Sequence, residues 1–202
     1  MTTAIIGLIG VILGSILAGL KDWLMHFFER KSNGRYAAVR IITVLEEYAQ
    51  ECVSVVSDDG TSYGRPAGRT EQGEEYYTPQ VATPKPPIFA EDIDWQSIRF
   101  ELMYRILALP NAARETDRYI ISSAEHSFLP NYEEVFDARQ EGYAHLGLQS
   151  VLLIKELQKE FKFPETPAKF WDWGWNMEEF FQEKLRTFQI RRQKMLADFE
   201  KV

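Results

Sequence analysis

The longest hydrophobic segment of this 202-residue chain runs from Ala4 to Leu20 and contains neither a charged residue nor a proline. These residues would rise about 26 Å as an α-helix, and the hydrocarbon core of a bilayer is about 30 Å thick. Aromatic and aliphatic residues continue the apolar character as far as Phe28. The pattern predicts a single-pass transmembrane helix, within an anchor and juxtamembrane segment of residues 1–31.

The charges around this segment are unequal and indicate its orientation. Only Met1 and two threonines precede it, whereas four basic residues and two acidic ones follow before residue 36. Because positive charge stays on the cytoplasmic side, we predict an inner-membrane protein with its N-terminus outside and its C-terminal body in the cytoplasm. The residues predicted to lie at the lipid interface are Lys21, Trp23, Arg30 and Lys31. A cleaved signal peptide, which needs a basic start, and a buried core helix are the alternatives.

Small residues form a ridge along the predicted membrane helix. Gly10, Gly14 and Ala18 follow one another at four-residue spacing, and Gly7 lies beside them. Small side chains allow transmembrane helices to approach closely, and this contact is one way in which such helices associate. The ridge therefore predicts a homo-oligomer or a pairing with a different membrane protein.

The remaining hydrophobic pattern has the three-to-four-residue period of helices and shows no clear alternating strand. A first cytoplasmic helix is predicted within residues 32–57, with a stripe from Val39, Ile42, Val44 and Leu45 to Tyr48, Cys52 and Val55. A possible break, or a weak point in one long helix, lies at Asn33-Gly34. Further helices are predicted over 94–109, 111–128, 132–161 and from 168 or 176 to 201, with prolines between them. This is an all-α fold, an antiparallel helical bundle over residues 91–202 with coiled-coil-like stripes.

Residues 58–90 have a different composition. The stretch from Ser57 to Pro87 contains five prolines and four glycines but few aliphatic residues. Such a composition buries little apolar surface, so we predict a flexible loop or tether. Its Glu74–Tyr77 patch is a possible docking segment for a partner.

Charge and cysteine content exclude several classes of function. The net charge is −7, and the first 35 residues contribute +2 from four basic and two acidic side chains, which leaves −9 for the remainder. An acidic body argues against a nucleic-acid partner, because binding requires cations that replace phosphate counterions. The single cysteine, Cys52, excludes a disulfide framework and cysteine-based zinc sites within one chain. We predict that its thiol is buried.

The best candidate for chemistry is a row of three side chains. Asp137, Glu141 and His145 follow at four-residue spacing, which aligns them on one helix face. Such a face could bind a metal or share a proton, or it could be an ordinary polar face with ion pairs. The chain has no nucleophile elbow and no nucleotide-binding glycine motif. We therefore predict no catalytic residue, metal or cofactor, and an enzyme is the less favoured class.

Three tryptophans form the last candidate feature. Trp171, Trp173 and Trp175 alternate along the chain, and tryptophan is favoured at membrane interfaces and interaction hot spots. They could dock on lipid or on a partner, or they could close the end of the bundle. The whole pattern predicts a membrane-anchored interaction or assembly protein, such as a scaffold, sensor or accessory subunit. The alternatives are an oligomeric effector that perturbs the membrane and a metal-dependent enzyme that uses Asp137, Glu141 and His145.

Overall fold

The computed structural model describes residues 2–125, 132–163 and 176–199, with backbone only at 2–19, 22–24, 26–31 and 199. Within these residues the architecture is mostly helical, which confirms the all-α prediction. The helices are α1 (Thr2–Val56), α2 (Phe100–Glu125), α3 (Glu133–Phe161) and α4 (Met177–Phe199), and a short 3-10 helix lies at Trp95–Ser97. The strands β1 (Gly68–Arg69) and β2 (Glu75–Tyr76) pair antiparallel.

Helix α1 runs without interruption through the predicted boundary between the anchor and the first cytoplasmic helix. Its 55 residues correspond to about 83 Å of helix, and Asn33-Gly34 does not break it. Among the described side chains, no helix is long and apolar enough to span a membrane. The side chains of residues 4–19, on which the predicted span depends, lie outside that set.

Helix α3 is central to the bundle and packs against the other three helices. Gly34 of α1 lies against the ring of Phe161 at the end of α3. Asp58, just after α1, instead meets Arg139 near the start of α3. Helices α1 and α3 are therefore antiparallel.

Ion pairs and hydrogen bonds give the direction of the remaining helices. The interhelical pairs are Arg105–Glu156 and Asp117–Tyr143 between α2 and α3, and Lys155–Glu178 and Arg191–Asp137 between α3 and α4. Both α2 and α4 are thus antiparallel to α3, and α1 runs parallel to them. The predicted alternating order holds from α2 to α4 but is wrong for α1 and α2, because a long connection carries the chain back along the bundle.

The core lies mainly between α1 and α3, where each helix presents a seam at alternating three- and four-residue steps. The buried seam of α1 consists of Ala38, Ile41, Leu45, Tyr48, Cys52 and Val55, and that of α3 of Tyr143, Leu146, Ser150, Leu153 and Leu157. Burial of Leu45, Tyr48, Cys52 and Val55 confirms most of the stripe that was predicted for the first cytoplasmic helix. The prediction was wrong at Val39, which is 49% exposed, because the seam starts one residue earlier and leaves Val39 on the opposite side.

Pro110 does not separate two helices, as the sequence pattern predicted, but lies inside α2. A proline in a helix removes one backbone hydrogen bond and crowds the preceding turn. Here the buried residues Leu102, Ile106, Leu109 and Ala113 on both sides of Pro110 face the same core. Burial of one continuous apolar stripe therefore outweighs the local cost. The helix predicted to begin at residue 94 also differs, because Asp94 precedes only the 3-10 helix and its side chain makes no capping hydrogen bond, and α2 begins at Phe100.

The connection between α1 and α2, residues 57–99, is here called the strap. It contains the hairpin of β1 and β2, which the predicted flexible loop lacked, and Pro84 and Pro87 are buried. Near its end, Asp92 accepts a 2.8 Å hydrogen bond from Arg40 of α1. The strap thus contacts the bundle at several points, whereas Tyr63, in the turn between Ser62 and Arg65, is fully exposed. Its mobility stays a prediction.

We expect Gly147→Ala to lower the free energy of unfolding by about 1–3 kcal/mol, the usual range for an overpacked core. A Cβ at this position would lie within 2.6 Å of carbons in the Phe181 ring, which packs on α3 there. The loss should appear although alanine is the better helix former by about 1 kcal/mol. Chemical denaturation of the full chain in mild detergent, followed by circular dichroism, measures it.

Gln149→Ala, a half-buried change on the same helix, is the matched control. The smaller side chain of Phe181→Leu should restore part of the stability of Gly147→Ala. Equal stability of Gly147→Ala and the wild type would contradict the close contact of α3 and α4.

Candidate functional site

A buried ion pair joins the end of α1, the strap and the start of α3. Asp58 and Arg139 are each 6% exposed, and Asp58 Oδ2 lies 3.5 Å from Arg139 Nη2. The same carboxylate accepts backbone N–H bonds from Gly60 (3.0 Å), Gln80 (2.9 Å) and Val81 (3.0 Å). Arg139 Nη2 also donates to the Val81 carbonyl at 2.6 Å. One cluster therefore holds both the first residues of the strap and its return.

The energetics of this cluster indicate that it positions the strap on the bundle. Burial lowers the pKa of Arg139, because desolvation disfavours the charged guanidinium, and the Asp58 charge opposes that shift. Buried pairs of this kind often add little net stability, yet loss of one partner leaves an unpaired charge in the core. Gly60 is required beside it, since its φ is +75° and a Cβ would meet the Phe136 ring.

Arg139 was not predicted to be a site residue, although the sequence contains a signal for it. Arg139 precedes Tyr143 by four residues and so belongs to the apolar stripe of α3. A charged residue at a core position is rare unless it is paired. Its partner could not be identified from local spacing, because Asp58 lies 81 residues away.

Next to this cluster, two phenols and the single thiol lie in the core. Tyr143 donates a 2.6 Å hydrogen bond to Asp117 of α2, and Tyr48 lies beside Cys52 on α1. Burial raises the pKa of Tyr48, Cys52 and Tyr143. All three groups are therefore protonated at neutral pH, and Cys52 is an inert buried thiol. The predicted burial of Cys52 is confirmed.

The row of Asp137, Glu141 and His145 lies along α3, and its carboxylates bind arginines of α4. Both oxygens of Asp137 lie 2.8 Å from Arg191 Nη1, and those of Glu141 lie 2.7 and 2.8 Å from Arg192 Nη2. Within the described part of the chain, no group of three histidine, cysteine or acidic side chains could hold a metal ion. The geometry therefore assigns these carboxylates to the attachment of α4.

An open cleft between α2 and α3 lies beside this row, with a volume of about 410 Å³. Its lining includes Glu115, Thr116, Tyr119, Glu141, Gly142 and His145. A Cβ at Gly142 would lie 2.6 Å from the Thr116 methyl group, so glycine allows α2 and α3 to approach here. Glu141 already binds Arg192, so Glu115, Tyr119 and His145 are the other ionisable groups among the lining residues.

The predicted membrane positions from Gly7 to Lys31 lie within helix α1. The side chains of the ridge, Gly7, Gly10, Gly14 and Ala18, lie outside those that the structure describes. The same is true of Trp23, Arg30 and Lys31, whereas Lys21 is exposed. Trp171, Trp173 and Trp175 lie outside the described residues.

The described surface also carries apolar side chains that the sequence analysis did not single out. Phe100, Tyr104 and Leu107 follow at four- and three-residue steps on α2 and are 68%, 66% and 43% exposed. They form one apolar face, of the kind by which helices dock on partners. On α1, Tyr36 is 67% exposed.

No protein family model, no curated protein and no solved structure matches this chain.

We expect Asp58→Ala to lower the free energy of unfolding by about 3–5 kcal/mol, the range for removal of one partner of a buried pair. The loss follows because Arg139 would remain buried without its counter-charge, and three backbone N–H groups would lose their acceptor. Chemical denaturation of the full chain in detergent measures the change.

The neighbouring Asp59→Ala is the control for this prediction. Asp59 also accepts hydrogen bonds, from the N–H and hydroxyl of Thr61, but it is exposed, so its loss should cost below about 1 kcal/mol. Similar losses for both variants would mean that the buried cluster does not organise the strap.

Proposed function

We propose that this protein is a single-pass inner-membrane protein whose cytoplasmic helical bundle performs interaction and assembly at the membrane. Residues 1–31 form the anchor, with the N-terminus outside. The observation that supports this most is the continuity of α1. One uninterrupted helix contains the apolar run Ala4–Leu20 at one end and the buried seam from Ala38 to Val55 at the other.

A continuous helix couples the bundle rigidly to the anchor. From Leu20 to Gly34, where α3 first contacts α1, the helix rises about 21 Å. The bundle therefore stays close to the bilayer and cannot swing on a flexible linker. A rigid presentation of this kind suits a scaffold, sensor or accessory subunit, which must hold a partner in a fixed orientation.

The position of the exposed apolar face of α2 supports a partner at the end of the bundle that lies nearest the anchor. The Ser97 carbonyl, just before α2, lies near Gly34, and Arg99 pairs with Glu160 at 3.4 Å near the end of α3. Phe100 and Tyr104 are thus on the side of the bundle nearest the anchor. Exposed aromatic residues in this place favour a membrane-protein partner or lipid over a nucleic acid.

An assembly role is favoured over the two alternatives. The carboxylates that an enzyme would use, Asp137 and Glu141, are bound to arginines. A membrane-perturbing effector that lines a pore needs a polar stripe in its membrane helix, and the run Ala4–Leu20 offers only Ser15.

We expect protease added to intact spheroplasts to leave the bundle uncut, because the charge asymmetry places it in the cytoplasm. Immunoblotting of the C-terminal body measures its survival. Detergent should make the body accessible, which is the control, and a cytoplasmic marker should stay intact until detergent is added. Digestion of the body in intact spheroplasts would overturn the proposed orientation.

We expect Gly14→Ile to reduce chemical crosslinking of the full chain in native membranes, because a branched side chain on the ridge separates helix backbones. Contacts between membrane helices contribute about 1 kcal/mol each, so the loss should be partial. Gly19→Ile, an equal change off the ridge, is the matched control. Undiminished crosslinking of Gly14→Ile at matched expression would show that the ridge does not assemble the protein.

A further inference from the structure

Helix α1 carries a second seam on the side opposite its buried one. We call Ser32, Tyr36, Val39, Thr43, Glu46 and Gln50 the outer seam. They follow at steps of four, three, four, three and four residues, which is the spacing of a coiled-coil contact. All six are exposed, and no part of the described bundle covers Tyr36 or Val39, which are 67% and 49% exposed.

The outer seam is aligned with the small-residue ridge of the anchor. Eighteen residues make five full turns of an α-helix, because each turn takes 3.6 residues. Gly14 and Ser32 are eighteen residues apart, as are Ala18 and Tyr36. Since the backbone of α1 is helical from Thr2 to Val56, the ridge and the seam lie on one face.

Met25, which lies between the ridge and the outer seam, is on the same face of α1. Met25 lies eighteen residues before Thr43 and is 54% exposed. Ala18, Met25, Ser32 and Val39 are each separated by seven residues, and a seven-residue repeat keeps facing one partner when two helices coil around each other. The face is uncharged at these four positions, Glu46 is the one charged residue of the outer seam, and Arg35 beside the seam is exposed.

We propose that the outer seam is the contact surface for α1 of a second copy of this chain, in parallel orientation. The inference rests on the proposed membrane anchoring, because two anchors inserted in the same direction make their α1 helices parallel. A second copy presents the same face at the same height above the membrane. The core of each bundle stays intact, since the buried seam lies on the far side of α1.

The size of the seam indicates that this pairing depends on the membrane. Stable interfaces use about 20–30 residues on each side, and the seam supplies six. Two copies held in one bilayer meet at a raised effective concentration, which compensates for the small contact. The handedness of the pairing is also defined. Seven-residue spacing needs a left-handed crossing near +20°, whereas a right-handed crossing near −40° through the ridge alone would separate the seams.

Cysteine crosslinking in isolated native membranes tests this proposal. The wild type has one cysteine, Cys52, which is fully buried, so it provides a clean background. Thr43→Cys places a thiol on the outer seam. Thr187→Cys is the matched control on α4, because both threonines are exposed and each donates only to the carbonyl four residues before it. An added oxidant forms a disulfide only where two Cα atoms come within about 7 Å.

We expect Thr43→Cys to shift under oxidant from the monomer mass of 23.5 kDa to twice that mass on a non-reducing gel. Thr187→Cys and the wild type should stay monomeric. Val39→Lys in the Thr43→Cys background places like charges face to face on the seam and should reduce the dimer band. Because Val39 is exposed, this variant leaves the core unchanged.

The proposal is overturned if Thr43→Cys stays monomeric, if Thr187→Cys forms as much dimer, or if Thr43→Cys links to another protein instead. Membrane fractionation of the same samples separates this outcome from failure of the proposed function. A membrane-bound but monomeric Thr43→Cys refutes the seam alone, whereas a chain found in the soluble fraction refutes the anchor on which it rests.

Discussion

The buried contact between Asp58 and Arg139 determines how the chain returns after α1. Because α1 and α2 are parallel, the strap must cover the distance from Asp58 back to the level of Gly34, about 36 Å at 1.5 Å per residue. The Asp58 carboxylate holds the strap near its start, at the Gly60 N–H, and again at Gln80 and Val81. The segment between these points can then form a small hairpin without disturbing the helices. This charged pair thus fixes the path of the strap back along the bundle. That path allows α1, α2 and α4 to run in one direction around the antiparallel helix α3.

The central position of α3 has a second physical requirement, which is close approach at glycine. The Phe161 ring packs against Gly34, the Thr116 methyl group packs against Gly142, and the Phe181 ring packs against Gly147. Each of these contacts attaches a different helix to α3. Glycine costs about 1 kcal/mol in a helix relative to alanine, and here that cost is offset by aromatic and methyl groups that pack directly on the backbone. The polar pairs Arg191–Asp137 and Arg192–Glu141 add exposed links, which contribute little energy but set the register of α4.

The parts of the fold that depend on local periodicity could be predicted, and those that depend on distant partners could not. The predicted helix over 132–161 matches α3 almost to the residue, because a long apolar stripe has a clear period. Pro110 was misjudged because its effect is local, whereas the burial that overrides it is tertiary. The carboxylates Asp137 and Glu141 were correctly placed on one face. Their arginine partners lie 51 to 54 residues further along, and no spacing rule connects them.

The two faces of α1 explain why the chain uses one long helix where a linker would suffice. The buried seam through Leu45 and Cys52 commits one side of α1 to α3. This contact fixes the rotation of the helix, and a rigid backbone transmits that rotation to the proposed anchor. The opposite side, with Tyr36 and Val39, then faces away from its own bundle from Ser32 to Gln50. In the proposed assembly, packing in the core thereby selects which face of the proposed membrane helix is available to a neighbour, and a flexible hinge at Asn33-Gly34 would remove that selection.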